Sequence, residues 1–349
     1  MSFRVVMPLD IKGEPDKYTR KFAEMGAEFV KKHCQSEDEF IAFAMNANAI
    51  ITVASLLPVT RRVLESLKSC RLIANTQVGF DCVDIEAATE QGILVANVPD
   101  YCVEEVAAHT MALLLTCARR IVQLDSLVRE GRWGLTPDDP LIQNTVWPRL
   151  ARLSSQTLGL LGLGRIGREV AARAKAFGMR IIAFDPYVSR EVAEHLGVEL
   201  IEWESLLRES DYISIHAALN ASTRHIFNDS AFAEMKPTAC LVNCARGGFV
   251  NEQSLADALR EGKLAMAALD VLDTDPPASG NPLLSMDNVI ITGHSAFFSP
   301  EAEAERWRRP TEEIARVMRD EWPLILVNPQ AREKYVTKWG VMKESNQEG

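Results

Sequence analysis

No apolar run in the 349-residue sequence approaches the roughly 18 residues that a membrane-spanning helix needs, so no span is expected. The segment Met1 to Asp10 has only a short apolar stretch and no small-residue cleavage site, and a secretory signal is not expected. A basic excess is missing too. The net charge is −10, whereas neutralising phosphates takes clustered Lys and Arg, so no nucleic-acid partner is expected. Basic pairs such as Arg119-Arg120 and Arg308-Arg309 read as solvated helix faces. The seven cysteines (Cys34, Cys70, Cys82, Cys102, Cys117, Cys240 and Cys244) contain no CxxC pair. Cys240 and Cys244 lack the second pair or nearby His of a zinc site, so no metal is expected. Reduced, buried thiols and a cytoplasmic setting fit this usage. No Gly-, Ser- or Pro-rich linker divides the chain, and no repeat of fixed period appears.

What is present is an ordinary globular balance, 47% apolar, at a length that suggests two domains of about 150 residues each. Strand and helix patterns alternate in two stretches. In the first, RVVMP, EFVKKH, AIITVAS, RLIANT and ILVANV read as strands. Ser36 caps one of the intervening helices and Gly92 ends another. A single long helix is expected from about Val103 to Glu130, because Val106, Thr110, Leu113, Leu114, Cys117, Ile121, Leu124 and Val128 recur at helical spacing. Trp133 to Ser155, with three prolines and two tryptophans, reads as an irregular excursion. From Thr157 the alternation resumes with TLGLLGLG, MRIIAFDP, DYISIHAAL, ACLVNCAR, LAMAALDV and NVIITGH as strands. A last helix is expected from about Pro300 to Asp320, and a polar tail from Lys343 to Gly349. Nearly unbroken apolar strands separated by helices imply doubly wound parallel sheets, covered on both faces.

Gly162-Leu163-Gly164-Arg165-Ile166-Gly167 lies between a strand and a helix, the context in which GxGxxG is specific for dinucleotides. The first Gly permits the turn, the second lets backbone approach a pyrophosphate, and the third lets the helix pack on the strand. Asp185 ends the next strand, where a carboxylate accepts from ribose hydroxyls and repels a 2′-phosphate, which favours NAD over NADP. Carbonyl reduction beside a nicotinamide also needs a cation for the substrate carboxylate and a proton donor. Arg246, Asp275 and His294 follow successive strands at the edge where open α/β sheets bind ligands. An Arg or a His at a strand end is singly most often structural; beside a dinucleotide motif, the three together read as a reaction centre.

Taken in order, QVGFDCVD, NVPDYCVEEVAAHT, LGLLGLGRIG, RAKAFGMRIIAFDPY, LVNCARGGFVNE, AALDV and GHSAFFS resemble the D-isomer-specific 2-hydroxyacid dehydrogenase family, and within it the branch of the C-terminal-binding proteins. The resemblance covers nearly the whole chain. It implies two domains of Rossmann-like or flavodoxin-like type with a cleft between them. Residues 1–102 plus 299–349 would form the substrate domain and 103–298 the NAD domain, usually in a homodimer. It also implies that Arg246 grips the substrate carboxylate, that His294 exchanges the proton, and that Asp275 orients the imidazole and favours its protonated form. Thr110, Ala217, Ala218, Thr223, Cys244, Ala245 and Asp270 match cofactor positions; Val78, Gly79 and Tyr101 match substrate positions. The family usually has Glu at Asp275, and the shorter side chain implies a backbone shift or a looser hydrogen bond to His294. Phe297 stands where the C-terminal-binding proteins carry Trp. The QVGFD loop shows no extra cation beside the carboxylate position, and the remaining histidines, His109 among them, read as surface or packed residues. The rival expectation is an NAD(H)-responsive scaffold.

Overall fold

The computed structural model describes residues 2–10, 15–133, 146–147 and 150–344. Most of the expected excursion between Trp133 and Ser155, and the tail beyond Glu344, lie outside the described residues. The chain divides into two compact units, one formed by Met1–Tyr101 with Pro300–Gly349 and the other by Cys102–Ser299.

The first unit holds five parallel strands: β1 (Phe3–Met7), β2 (Ala27–Lys31), β3 (Ala49–Thr52), β4 (Leu72–Asn75) and β5 (Leu94–Ala96). Their order in the sheet is β2-β1-β3-β4-β5. Successive side chains along a strand point to opposite faces. Leu72 and Ala74 therefore join one apolar cluster, with Trp307, Ile314 and Tyr335, while Ile73 joins the other, with Phe40, Val63 and Ala87. The helices covering these faces start where short polar side chains accept from first-turn amides, at Ser36, Thr60 and Asp84. Helix Pro300–Met318 carries a buried acid, Glu313, whose carboxylate accepts from the Leu324 amide at 2.9 Å. Burial pushes its carboxyl above the usual range.

The second unit holds seven parallel strands: β6 (Thr157–Leu161), β7 (Arg180–Phe184), β8 (Glu199–Leu200), β9 (Tyr212–Ile215), β10 (Cys240–Asn243), β11 (Met266–Leu269) and β12 (Val289–Ile291). The sheet order is β12-β11-β10-β9-β6-β7-β8, so the chain reverses direction across the sheet at β6 and β9. That reversal opens the crevice where ligands bind in doubly wound sheets. The sheet has one strand more than expected from the sequence, β8, whose two residues are too short to show a pattern. The long helix is also interrupted. Val103–Arg119 and Ile121–Arg129 meet at Arg120, which is buried and left-handed at φ +52°. Side-chain periodicity runs through this break because it carries no information about φ.

Candidate active site

The glycine turn is built as its spacing requires. Gly162 has φ +98°, and a Cβ there would stand 2.7 Å from the Ala217 nitrogen, at the end of β9. A Cβ on Gly167 would collide with the Gly162 carbonyl oxygen, so helix and strand meet only through hydrogen. Around Gly164 nothing lies within 4 Å of such an atom. Helix Arg165–Ala176 starts there with no side-chain cap, leaving its first-turn amides to a ligand. Asp185 Oδ2 accepts from the Leu163 amide at 2.8 Å and Oδ1 from the Tyr187 amide at 2.9 Å. The carboxylate thus braces the loop, and each oxygen keeps a lone pair for a ribose hydroxyl. Thr223 Oγ1 donates to the Ala218 carbonyl at 3.0 Å and closes the segment after Ala217. Thr110 Oγ1 is fully buried without a hydrogen-bond partner among the described residues, and the Cys244 thiol adjoins it. Burial pushes that thiol up to about 12. An open glycine cradle, spare acceptors on Asp185 and an orphaned hydroxyl fit a dinucleotide.

Strands β10, β11 and β12 are neighbours, so residues at their ends stand within about 10 Å, two strand spacings. Arg246 follows β10. Buried Asn243 fixes its turn, donating through Nδ2 to the Arg246 carbonyl at 2.7 Å and accepting from the Ala245 amide at 3.0 Å. Arg246 Nη1 donates to the Ala245 carbonyl at 2.8 Å. Gly247 must be glycine, because a Cβ would fall on the Leu272 carbonyl. Asp270 follows β11 and is 2% exposed. Its carboxylate accepts from the Thr292 hydroxyl at 2.6 Å and from the Ser295 and Ala296 amides at 2.9 and 3.0 Å. It therefore holds the turn after β12, and its backbone carbonyl accepts from the His294 amide.

His294 Nδ1 lies 2.9 Å from Asp275 Oδ2, and Asp275 Oδ1 accepts from the Leu272 amide at 3.2 Å. The hydrogen bond to His294 has ordinary length, so Asp reaches the imidazole without the loosening expected from its missing methylene. With Nδ1 engaged, Nε2 is the nitrogen left to exchange a proton. Phe297 meets the imidazole edge-on, its centroid 6.1 Å away. The other nearby acid, Asp273, turns to Arg224 (3.3 Å) and His225 (3.6 Å). His109 and Thr292, which sequence reasoning passed over, join this region through a 2.9 Å contact. The two residues are 183 positions apart, and no local pattern signals the pair.

In the first unit, Asn97 Nδ2 donates to the Val78 carbonyl at 2.7 Å and Asn75 Nδ2 to the Gly79 carbonyl at 2.8 Å. A trans peptide points its N–H opposite to its C=O, so fixing the Val78 carbonyl turns the Gly79 amide outward from that contact. Arg306, 8% exposed, reaches Thr76 Oγ1 at 3.4 Å and Glu303 at 2.7 Å. Arg306 thus meets the residue that precedes the QVGFD loop from 230 positions away, paired there with Glu303. Tyr101 is half-buried. Trp133 and Trp147 are exposed by 62% and 41%.

A doubly wound sheet with a glycine cradle at its crossover, and an Arg, an Asp and a His following neighbouring strands, has the form of a dinucleotide-binding protein. Residues 111–296 match the profile of the D-isomer-specific 2-hydroxyacid dehydrogenase NAD-binding domain. The chain is 34% identical to a glyoxylate reductase of Korarchaeum cryptofilum, over 89% of this chain and 95% of that one. It is 43% identical to a D-3-phosphoglycerate dehydrogenase of Methanocaldococcus jannaschii over 80% of its own length, and spans about half of that relative, 51%. A solved glyoxylate reductase from Paecilomyes thermophila superimposes with a TM-score of 0.83 at 27% identity, covering 94% of this chain and 99% of that one. The chain belongs to the D-isomer-specific 2-hydroxyacid dehydrogenase family. These matches do not specify a branch within it.

Proposed function

We propose that the chain is an NAD-dependent D-2-hydroxyacid dehydrogenase that interconverts a small 2-oxo acid and its 2-hydroxy acid. The observation that carries this reading is the 2.9 Å His294–Asp275 pair, which follows strands neighbouring that of Arg246 in the sheet that also carries the glycine cradle. The unit formed by Cys102–Ser299 serves the cofactor, and the unit containing the Val78–Gly79 loop serves the substrate. When bound, the reduced nicotinamide supplies the hydride that C2 of the oxo acid accepts. Arg246 holds the carboxylate by charge-assisted hydrogen bonds and draws electron density from the carbonyl. In the first unit, the outward Gly79 amide is a donor suited to a carboxylate. His294 gives its Nε2 proton to the oxygen that becomes the hydroxyl, and Asp275 steadies the imidazole through Nδ1. In the reverse direction His294 takes that proton back.

The first-turn amides of Arg165 and Ile166 meet the pyrophosphate, Asp185 meets the adenosine ribose, and Ala217, Ala218 and Thr223 border the adenosine. Thr110 would contact a cofactor phosphate, and Cys244, Ala245 and Asp270 would border the nicotinamide half. The carboxylate of Asp185 selects NAD over NADP by repelling a 2′-phosphate. A homodimer and a cytoplasmic setting belong to the same reading. Ile121, Val122 and Val128, about half exposed on one short helix, supply apolar surface for a second copy.

The deciding experiment follows NADH consumption with 2-oxo acids from glyoxylate and hydroxypyruvate to branched and aromatic members. Wild type is compared with His294→Ala, and NADPH serves as the control cofactor. Loss of the general acid is expected to lower turnover about 100-fold or more. Turnover that survives His294→Ala unchanged, or absence of turnover on every acid despite NADH binding, refutes the proposal.

A further inference from the structure

The turn that presents His294 is unusual in its backbone. Gly293 and His294 both adopt left-handed conformations, φ +64° and +56°. For a residue with a Cβ that conformation persists only where the surroundings over-determine it. Four hydrogen bonds do so here. The His294 amide donates to the Asp270 carbonyl, the Ser295 and Ala296 amides donate to the Asp270 carboxylate, and Ser295 Oγ donates to the Thr292 carbonyl at 2.8 Å. Three of the four end on Asp270, so the position of the turn is the position of Asp270.

Asp270 in turn depends on Thr292. Both carboxylate oxygens accept amide protons, so the carboxylate acts as an acceptor, and the single Thr292 hydroxyl proton is the one directed at it across 2.6 Å. The Thr292 oxygen is then an acceptor toward His109 Nε2, 2.9 Å away. This order of donors fixes the tautomer of His109: the proton sits on Nε2. The same nitrogen lies 3.6 Å from Asp270 Oδ1, adding a favourable dipole beside a buried carboxylate.

We propose that His109, on helix Val103–Arg119, is a positioning residue for His294. Its Nε2–H holds the Thr292 hydroxyl on Asp270, and Asp270 holds the left-handed turn that sets the His294 imidazole against Asp275. The inference rests on the dehydrogenase reading, since it takes His294 as the proton carrier. It assigns His109 no contact with substrate or nicotinamide.

The test uses the full chain as His109→Leu and as His109→Gln, whose side-chain amide keeps a donor at the Nε2 position. His109→Leu is expected to lower kcat about 10- to 100-fold, the scale of an ångström-level misplacement, with KM for NADH unchanged. His109→Gln is expected to restore most of that loss. Should His109→Leu fail to fold, the near-isosteric Thr292→Val is expected to show the same selective fall in kcat. A second arm needs no turnover. Isotope-labelled histidine gives imidazole nitrogen spectra of only six residues. Those of His109 should show the Nε2–H tautomer, and those of His294 should move in the Leu variant and return in the Gln variant. Wild-type kcat in His109→Leu, equal loss in both variants, or unmoved His294 signals each overturn the inference. A wild type without turnover overturns the dehydrogenase reading, and the spectra still decide the role of His109.

Discussion

Replacing Asp275 by Asn tests the acid–base pair with the least change in shape. Asp275 has two oxygens and two donors to satisfy: Oδ1 accepts from the Leu272 amide at 3.2 Å, and Oδ2 faces His294 Nδ1 at 2.9 Å. Asn has a single oxygen. Whichever donor keeps it, the other meets an amide NH₂, and the negative charge beside the imidazole is gone. A hydrogen bond to a charged group contributes about 1.5–3 kcal/mol. His294 and Asp275 are 35% and 38% exposed, so solvent screening brings the net loss toward the lower end. A loss of about 1.4 kcal/mol in the transition state is a tenfold fall in kcat. NADH-coupled assays at saturating oxo acid are expected to show that fall with KM for NADH unchanged, because Asp275 has no cofactor role. Asp275→Glu keeps both oxygens and the charge and is expected to lose less. A kcat for Asp275→Asn within twofold of wild type would sink the assignment of Asp275 as the partner that steadies His294.

Gly162→Ala places a Cβ 2.7 Å from the Ala217 backbone at φ +98°, so both NADH affinity and the thermal midpoint should fall. Gly164→Ala meets nothing within 4 Å, and calorimetric titration should show lost NADH affinity in a chain that melts like wild type. Equal melting losses in the two variants would contradict the open cradle. Asp185→Ser should narrow the preference for NADH over NADPH in kcat/KM; a preference that stays fixed would remove Asp185 from cofactor selection. Glu313 carries a pH prediction. Its carboxyl is raised by burial, so its contribution to stability is fully present below the unfolded value near about 4.3 and fades as pH rises through the higher folded value. Glu313→Gln should therefore lose less stability than wild type between acid and neutral pH in thermal melts. Parallel pH profiles would refute that account.

Much of this arrangement is legible in the sequence because it is local. GxGxxG is contiguous: Gly162 and Gly167 have no room for a Cβ, and Gly164 leaves the cradle open. Unbroken strands such as LVNCAR announce burial on both faces. Arg246, Asp275 and His294 could be placed at one edge because each lies in the segment that follows a strand. Long-range pairings escape such reading. Arg306 meets Thr76, and His109 meets Thr292, only because the chain folds back, and neither residue carries a pattern that marks its partner. Backbone conformation escapes as well, which is why a continuous apolar stripe concealed the left-handed break at Arg120. The strength of the Asp275 contact could not be judged from side-chain length alone, since the backbone of its loop sets the reach.

The first unit draws its core from both ends of the chain. Val5, Ile51 and Leu72 pack in one cluster with Trp307, Ile314 and Tyr335, although the 198 residues of the second unit separate them. On a ribosome adding about 5–20 residues per second, the early strands wait roughly ten to forty seconds for those partners. Through that interval one apolar face of a parallel sheet stands uncovered while the second unit, continuous in sequence, can close on itself. The nascent chain therefore passes through a stage with one unit finished and the other half-built, the stage at which a holding chaperone has its widest opening.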